Sequence, residues 1–315
     1  MRCLHFIEDF DWEKIDDLIE LKNVQVHCID KHLIHGRHKF NRGGNSYLRI
    51  SQFADNESFP ENGEEVISFI SNYSCAFAHQ FESMISSLAQ YLQSSFSTEA
   101  NLKILHYEGV GHLSELNQLL INITGRETIC LENGQTIYCK RLIFFRPNYR
   151  PHPMEIPALN LIRAYVQGSC DTRVFPDKIA LLKTTQTGKL DNAYNHSGNI
   201  SQERIAPLLK KHEIVQINHA QLSCQEIISF IMNCKKLVTN WGSTSAWHIF
   251  LKEPQKCICL LPNGYKREIC QIKYKNLCFN KELFENFEIV LPPITNELSD
   301  KDIENLDKYF SKNIE

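Results

Sequence analysis

The sequence has no long apolar run, no C-x-x-C cysteine pair and no strong charge of either sign. No run approaches the roughly 18 consecutive apolar residues that span a bilayer. The amino-terminal stretch Met1–Phe10 meets acidic residues too early for a signal peptide. A formal net charge of −3 over 315 residues gives no reason to expect nucleic acid as a partner. We therefore expect a cytoplasmic protein that binds no nucleic acid and has no transmembrane helix.

The twelve cysteines are scattered along the chain, and none forms a C-x-x-C pair. The closest two are Cys257 and Cys259, and residues at i and i+2 of a strand share a face but are poorly placed to bridge. We interpret the cysteines as small buried apolar residues in a reducing compartment. A zinc site is not expected.

From about residue 177 onward, strand-like and helix-like segments alternate with short connections. Such alternation is typical of βαβ units around a parallel sheet. Ser223 and Glu226 fit a capping box, which predicts the start of one helix. This half is therefore expected to be Rossmann-like. The predicted strands are 178–183, 213–217, 236–239 and 257–261, and the predicted helices lie near 201–211, 224–233 and 244–251.

The first half is less regular but is still expected to be α/β. Strand-like runs occur at 24–29, 102–106 and 141–145, and an amphipathic helix is predicted between Asn72 and Leu92. The segment Glu132-Asn-Gly-Gln135 is predicted to join two alternating runs as a tight hairpin.

The stretch Arg146–Pro157 carries four prolines and cannot continue a helix or a central strand, so it marks a domain boundary. We expect an amino-terminal α/β domain over residues 1–155 and a Rossmann-like domain over residues 156–295. Residues 296–315 have apolar side chains at helical spacing, and we expect this carboxyl-terminal helix to pack back on the first domain.

The most informative segment runs from Leu237 to Leu251, where a β-branched run meets a hydroxyl-rich turn that opens a helix. Unpaired N–H groups and the helix dipole make such a helix start attractive to anions. A simple helix cap at Ser243 or Thr244 is the alternative interpretation. The candidate phosphate ligands are Asn240, Trp241, Gly242, Ser243, Thr244 and Ser245.

Three further residues of the second half are candidate ligands. Lys183 and Thr184 follow the first predicted strand, at the carboxyl edge where ligands of parallel sheets collect. A lysine there can neutralise a phosphate, and a solvated loop is the alternative. Glu203 lies in the first turn of the next predicted helix. It can accept hydrogen bonds from a ribose or sugar hydroxyl, or it can simply favour the helix dipole.

His79 and Glu82 lie three residues apart on the polar face of the predicted helix near residues 72–92. Glu82 can orient the imidazole or raise its basicity, and the pair can then remove a proton from a hydroxyl. An exposed ion pair on a helix surface is the alternative.

Two other patterns resemble metal sites. Asp9 and Asp11 have the D-x-D spacing with which some enzymes hold a diphosphate through a divalent ion, but we interpret them as a helix start. The histidines between residues 27 and 38 lack a matching cysteine or carboxylate arrangement, so we interpret them as part of a polar loop. No metal is expected.

Taken together, these motifs resemble the family 61 glycosyltransferases from about residue 72 to 262. Residues 77–82, Phe-Ala-His-Gln-Phe-Glu, are similar to the family's H-F-x-x-E/D helix. Residues 179–183 end in a lysine where the family has an arginine, and Asn199-Ile-Ser-Gln-Glu203 follows in the place of N-I-x-N-E. Residues 239–250 occupy the place of a strand, an x-G-A-G-L turn and a helix, with Gly-Ser-Thr in place of Gly-Ala-Gly.

The resemblance implies two Rossmann-like domains facing a cleft, the GT-B arrangement. It implies that the first domain binds the acceptor, that the second binds a nucleotide sugar, and that neither a cofactor nor a metal is obligatory. His79 supported by Glu82 would then be the base, and Lys183 with the turn at 242–245 would stabilise the departing phosphate.

The expected reaction is inverting transfer of a hexose or pentose from a nucleotide sugar to a hydroxyl of a bacterial surface glycan precursor. The expected donor is a UDP-sugar. A CMP-sugar transferase of the sialyl or Kdo type and a non-catalytic glycan-binding homologue are the alternatives. Basic pairs such as Lys210-Lys211 and Lys235-Lys236 can contact an anionic membrane that carries a lipid-linked acceptor, although each can equally be a solvated face. Whether the chain forms a homo-oligomer stays open.

Overall fold

The chain divides into two compact units, residues 1–149 with 154–158 and residues 150–153 with 159–315. The expected boundary after residue 155 falls where the chain passes between the units. The binding of an acceptor by the first domain and of a nucleotide sugar by the second stays a prediction. The structure, a computed structural model, describes residues 2–5, 18–28, 48–53, 58–69, 77–107, 112–132, 134–145, 156–169, 174–184, 200–241, 243–252, 254–262, 287–294 and 297–314.

Seven strands of the described residues form one mixed sheet in the first unit. They are β1 (Arg2–His5), β2 (Leu18–Cys28), β3 (Leu48–Gln52), β4 (Glu64–Ser68), β5 (Lys103–Tyr107), β6 (Thr128–Leu131) and β7 (Thr136–Phe145). Their order across the sheet is β1-β3-β2-β7-β4-β5-β6. Strands β1, β3, β2 and β7 pair antiparallel, whereas β7, β4, β5 and β6 pair parallel. The predicted strands at 24–29, 102–106 and 141–145 correspond to parts of β2, β5 and β7.

Two helices connect the parallel strands of the first unit. Helix α1 (Phe77–Gln93) joins β4 to β5, and α2 (His112–Thr124) joins β5 to β6. Met84, Ile85 and Leu88 on α1 are buried, at most 1% exposed, which the three-to-four-residue spacing of its apolar side chains predicts. The amphipathic helix predicted between residues 72 and 92 is therefore present, and the first unit is α/β.

The predicted hairpin at residues 132–135 is wrong. A tight turn does occur there, because the Gln135 N–H donates to Glu132 O over 3.1 Å and Gly134 has a φ of 77°. However, β6 pairs with β5, while β7 lies between β2 and β4. The run Leu142–Phe145 is buried throughout, as is typical of a strand inside a sheet, and β7 lies between two partner strands while β6 takes the edge beside β5.

Five strands of the described part of the second unit form a wholly parallel sheet. They are β8 (Lys178–Leu181), β9 (Val215–Gln216), β10 (Lys236–Asn240), β11 (Lys256–Pro262) and β12 (Phe287–Ile294). Their order is β12-β11-β10-β8-β9, and every pair is parallel. The predicted alternation of strands and helices and the parallel sheet are confirmed. Strand β12 was not predicted from the sequence.

Helices cover both faces of this sheet. The helices are α3 (Ile156–Ser169), α4 (Gln202–Lys211), α5 (Cys224–Asn233), a 3₁₀ helix (Ser243–Phe250) and α6 (Asp300–Asn313). Leu208 of α4 and Phe310 of α6 share one buried cluster with Ala180, Val238 and Leu260 of the strands. Helix α5 packs against the 3₁₀ helix. The crossover from β9 back to β10 runs opposite to that from β8 to β9, so right-handed connections place α4 and α5 on opposite faces.

Two capping boxes fix helix starts in the second unit. The predicted pair is confirmed, since Ser223 Oγ accepts from the Glu226 N–H over 3.3 Å and the Glu226 carboxylate accepts from the Ser223 N–H over 3.0 Å. Ser299 and Asp302 form the same arrangement at the start of α6. Each box satisfies backbone donors that a helix start leaves unpaired.

The apolar side chains of the carboxyl-terminal helix pack within the second unit, and its expected contact with the first domain stays a prediction. Leu306 and Phe310 of α6 are at most 1% exposed and pack in the core of the second unit. His212, the residue after α4, lies edge-on to the Phe310 ring at 5.5 Å, and its Nε2 lies 2.7 Å from Asp307 Oδ1. The apolar stripe of α6 therefore covers the second sheet beside α4.

Candidate functional site

The strand order of the second unit reverses direction between β8 and β10. The chain leaves β8 toward β9 on one side and later returns to β10 on the other side. In open parallel sheets, the connections that leave two such strands diverge and open a crevice at their carboxyl ends. This reversal point therefore marks where a ligand of the second unit is expected.

Lys183 lies at this reversal point, two residues beyond the end of β8. Its side chain is half-buried, and burial lowers the pKa of its ammonium group. Thr184 is completely buried and forms a parallel bridge with Ile200, the residue two positions before α4. Of the two predicted ligands that follow β8, Thr184 ties the loop to the start of α4, and the contact of Lys183 with a phosphate stays a prediction.

Asn240, the last residue of β10, is 0% exposed and bonded on both sides of its amide. Its Oδ1 accepts from the Lys183 N–H over 2.8 Å, and its Nδ2 donates to Lys183 O over 3.3 Å. Thr244 Oγ1 lies 2.9 Å from Asn240 O and 3.0 Å from Asn240 Oδ1. The structure thus brings together three of the predicted site residues.

The predicted helix after β10 is present as the 3₁₀ helix Ser243–Phe250. Trp241 is half-buried, and its N–H donates to Leu260 O over 3.0 Å. Ser245 is 4% exposed and therefore belongs to the interior side of the turn. Gly242 and the side chain of Ser243 lie outside the described residues, so their part in anion binding stays a prediction.

A buried histidine and a half-buried arginine support the 3₁₀ helix, and neither was predicted from the sequence. His248 Nδ1 lies 2.6 Å from Ser245 O, and burial lowers the pKa of His248 to about 4. A carbonyl only accepts, so Nδ1 carries the proton of a neutral ring. Arg163 of α3 donates to the carbonyls of Ile249 and Leu251 over 2.8 and 2.7 Å, and burial lowers its pKa to about 10. A cation at the carboxyl end of a helix complements the helix dipole.

Glu203 lies in the first turn of α4 and is exposed. Its neighbour Gln202 forms a reciprocal amide pair with Gln216 at the end of β9, with nitrogen-to-oxygen distances of 2.7 and 2.6 Å. The start of α4 is thereby fixed to the same sheet edge as Lys183. Because Glu203 is exposed, a ribose or sugar hydroxyl can reach it from solvent. That contact stays a prediction. Asn199 lies outside the described residues.

The predicted catalytic base, His79 with Glu82, belongs to the first unit. His79 and Glu82 lie in the first two turns of α1, which follows β4, so the helix starts at the carboxyl edge of the parallel strands. Residues three apart on a helix lie on one face. The positions of their side chains lie outside what the structure describes, so the proton transfer stays a prediction.

The described part of the chain contains no cluster of three or more histidine, cysteine or carboxylate residues that could hold a metal. Asp9, Asp11 and the histidines at 32, 35 and 38 lie outside it. His27 is described, and its Nδ1 lies 2.7 Å from Thr136 Oγ1 on the neighbouring strand β7. Among the described helices, none is both long and apolar enough to cross a membrane.

A scan against protein-family models returns no match for this chain, and a search of curated proteins also finds none. Its function is therefore inferred from the residues and the geometry at the carboxyl edge of the second sheet.

Proposed function

We propose that this chain is an inverting, metal-independent glycosyltransferase that moves a sugar from a nucleotide sugar to a hydroxyl of a bacterial surface glycan precursor. The observation that carries the proposal is the reversal of strand order between β8 and β10, with Lys183 two residues beyond the end of β8. Nucleotides bind at such reversal points because helix starts and main-chain N–H groups converge there. The motif resemblance over residues 72–262 supplies the reaction class.

The strand order also supports a Rossmann-like second domain within a GT-B architecture. Numbered along the chain, the five strands have the order 2-1-3-4-5, which is that of doubly wound nucleotide-binding sheets. In the first unit, β4, α1, β5, α2 and β6 form two successive βαβ units. Two α/β units are what a GT-B enzyme needs, one for the acceptor and one for the donor.

In the proposed reaction, His79 accepts the proton of the acceptor hydroxyl, and Glu82 stabilises the resulting imidazolium. The hydroxyl oxygen forms a bond to the anomeric carbon from the face opposite the nucleotide. The bond between that carbon and the phosphate oxygen breaks, and its electron pair leaves with the nucleoside diphosphate. Lys183 and the turn Trp241–Ser245 stabilise the negative charge on that leaving group.

Two ion pairs among the described residues bear on the predicted membrane contact. Lys211 Nζ lies 2.6 Å from Asp307, and Lys235 Nζ lies 2.6 Å from Asp177. Both cations are therefore already paired with carboxylates, which weakens their attraction to anionic lipid. We propose that the enzyme acts in the cytoplasm, where it meets a lipid-linked or free glycan acceptor without depending on these lysines.

The proposal is tested with a panel of UDP-, GDP- and CMP-sugars, first by thermal shift and then by release of the free nucleotide. We expect stabilisation and nucleotide release with a UDP-sugar, both unchanged by a chelator. Response to CMP-sugars alone would instead assign the chain to the sialyl or Kdo type. Binding of a glycan without binding of any donor would identify a non-catalytic homologue and overturn the proposal.

A further inference from the structure

The main-chain pairing between β8 and β10 stops just short of the reversal point. The last paired residues are Leu181 and Thr239. The next residue of β10, Asn240, pairs through its main chain with Leu260 on β11. Beyond this point, the chain that leaves β8 runs toward α4 and the chain that leaves β10 enters the 3₁₀ helix. Something other than the strand ladder must therefore hold the two connections together.

The side chain of Asn240 provides that link. A carboxamide carries one acceptor oxygen and one donor nitrogen, as a peptide group does. Asn240 uses both on the peptide groups of one residue, since it accepts from the Lys183 N–H and donates to the Lys183 carbonyl. The same carbonyl accepts from the Ile200 N–H over 3.0 Å, which extends the link to the segment before α4.

Asn240 also holds the turn on the other side of the reversal point. The Thr244 hydroxyl lies 2.9 Å from its carbonyl oxygen, so the start of the 3₁₀ helix is bonded to the same residue. Asn240 is 0% exposed, and both functional groups of its amide are bonded to protein atoms. Its effect on a ligand must therefore pass through Lys183 and the turn.

We propose that Asn240 is a positioning residue that links the end of β8 to the turn after β10 and so sets where the Lys183 side chain and the turn stand relative to each other. This inference rests on the proposed function, since the ligand that the two segments hold is the nucleotide diphosphate. A leucine at this position has a similar volume but neither hydrogen-bonding group. It would leave the Lys183 N–H without the Asn240 acceptor.

The first test measures the link itself and needs no ligand. Hydrogen exchange is followed at backbone amides in the wild-type chain, in Asn240→Leu and in Thr239→Val. Thr239 is the adjacent buried polar residue, and its hydroxyl makes a longer contact of 3.5 Å with Asn240 O. We expect the Lys183 amide to exchange about tenfold faster or more in Asn240→Leu only, while β8 stays protected. Equal protection of Lys183 in all three proteins would overturn the inference.

The second test measures the affinity for UDP and its dependence on pH. Asn240→Asp keeps an acceptor for the Lys183 N–H, and its carboxyl group can donate to the Lys183 carbonyl only when protonated. Relative to wild type at each pH, its UDP affinity should recover as the pH is lowered from about 8 to about 5, because burial favours the neutral acid. Asn240→Leu should stay about tenfold or more weaker throughout, and Thr239→Val should match wild type.

If Asn240 does not position Lys183 and the turn, the UDP affinity of Asn240→Leu matches that of wild type at every pH, and that result would contradict the inference. The two proposals fail separately. If the wild-type chain does not bind UDP, the proposed function fails, and the hydrogen-exchange test still decides whether Asn240 holds Lys183.

Discussion

Replacing Lys183 with methionine removes the ammonium group at the reversal point and keeps most of the apolar length of the side chain. A hydrogen bond from a charged donor contributes about 1.5 to 3 kcal/mol. The dissociation constant for UDP should therefore rise roughly 10- to 150-fold. Lys178→Met is the matched control, because Lys178 begins the same strand and the change in net charge is identical. The two residues are separated by roughly 16 Å along an extended chain.

The pH dependence adds a second measurement to this prediction. Burial lowers the pKa of Lys183, and the group binds a diphosphate only as a cation. Affinity should therefore fall as the pH rises through that lowered pKa, before an ordinary lysine with a pKa of about 10.4 would lose its charge. Lys183→Met should show no such fall. Isothermal titration calorimetry with UDP measures both effects, and equal losses in the Lys183 and Lys178 variants would refute the reasoning.

The same structure leads to three further predictions. His79→Ala and Glu82→Ala should each lower nucleotide release from the donor, by about 100-fold or more for the base, without weakening UDP binding; near-normal turnover in both would remove the pair from the mechanism. Burial lowers the pKa of His248 to about 4, so its neutral ring contributes fully to the free energy of unfolding above about pH 6.5. That free energy should fall by about 3 kcal/mol as the pH drops toward 4. His248→Asn, which can still donate to Ser245 O, should flatten that slope in urea unfolding. Phe310→Ala should lower the free energy of unfolding by about 3 to 5 kcal/mol, since Phe310 is 0% exposed between α6 and the second sheet; a loss below about 1 kcal/mol would contradict this packing.

The alternation of strands and helices in the second unit could be predicted because each buried parallel strand is a short apolar run with turn residues on both sides. The capping box at Ser223 was equally visible, since its chemistry is local. The partners of β7 and the location of α6 could not be predicted in this way. Both depend on which of several apolar surfaces a segment covers, and the pattern along the chain is the same for each choice.

The candidate site shows the same division between local and non-local information. Lys183 could be identified because it follows a strand at the edge where ligands collect. The role of Asn240 as a link could not, because its partner lies 57 residues earlier in the chain. Arg163 likewise binds carbonyls 86 and 88 residues later. No local pattern distinguishes these side chains from ordinary polar residues.

The central claim is that a nucleotide diphosphate binds where the second sheet reverses its strand order. Hydrogen exchange of the intact chain with and without UDP tests it most directly. We predict that UDP slows exchange at Lys183 and in the turn Trp241–Ser245. Lys178, Lys236 and Lys256, which begin β8, β10 and β11 at the opposite edge, should be unchanged. Protection at that opposite edge, or no protection at either edge at saturating UDP, would contradict the account.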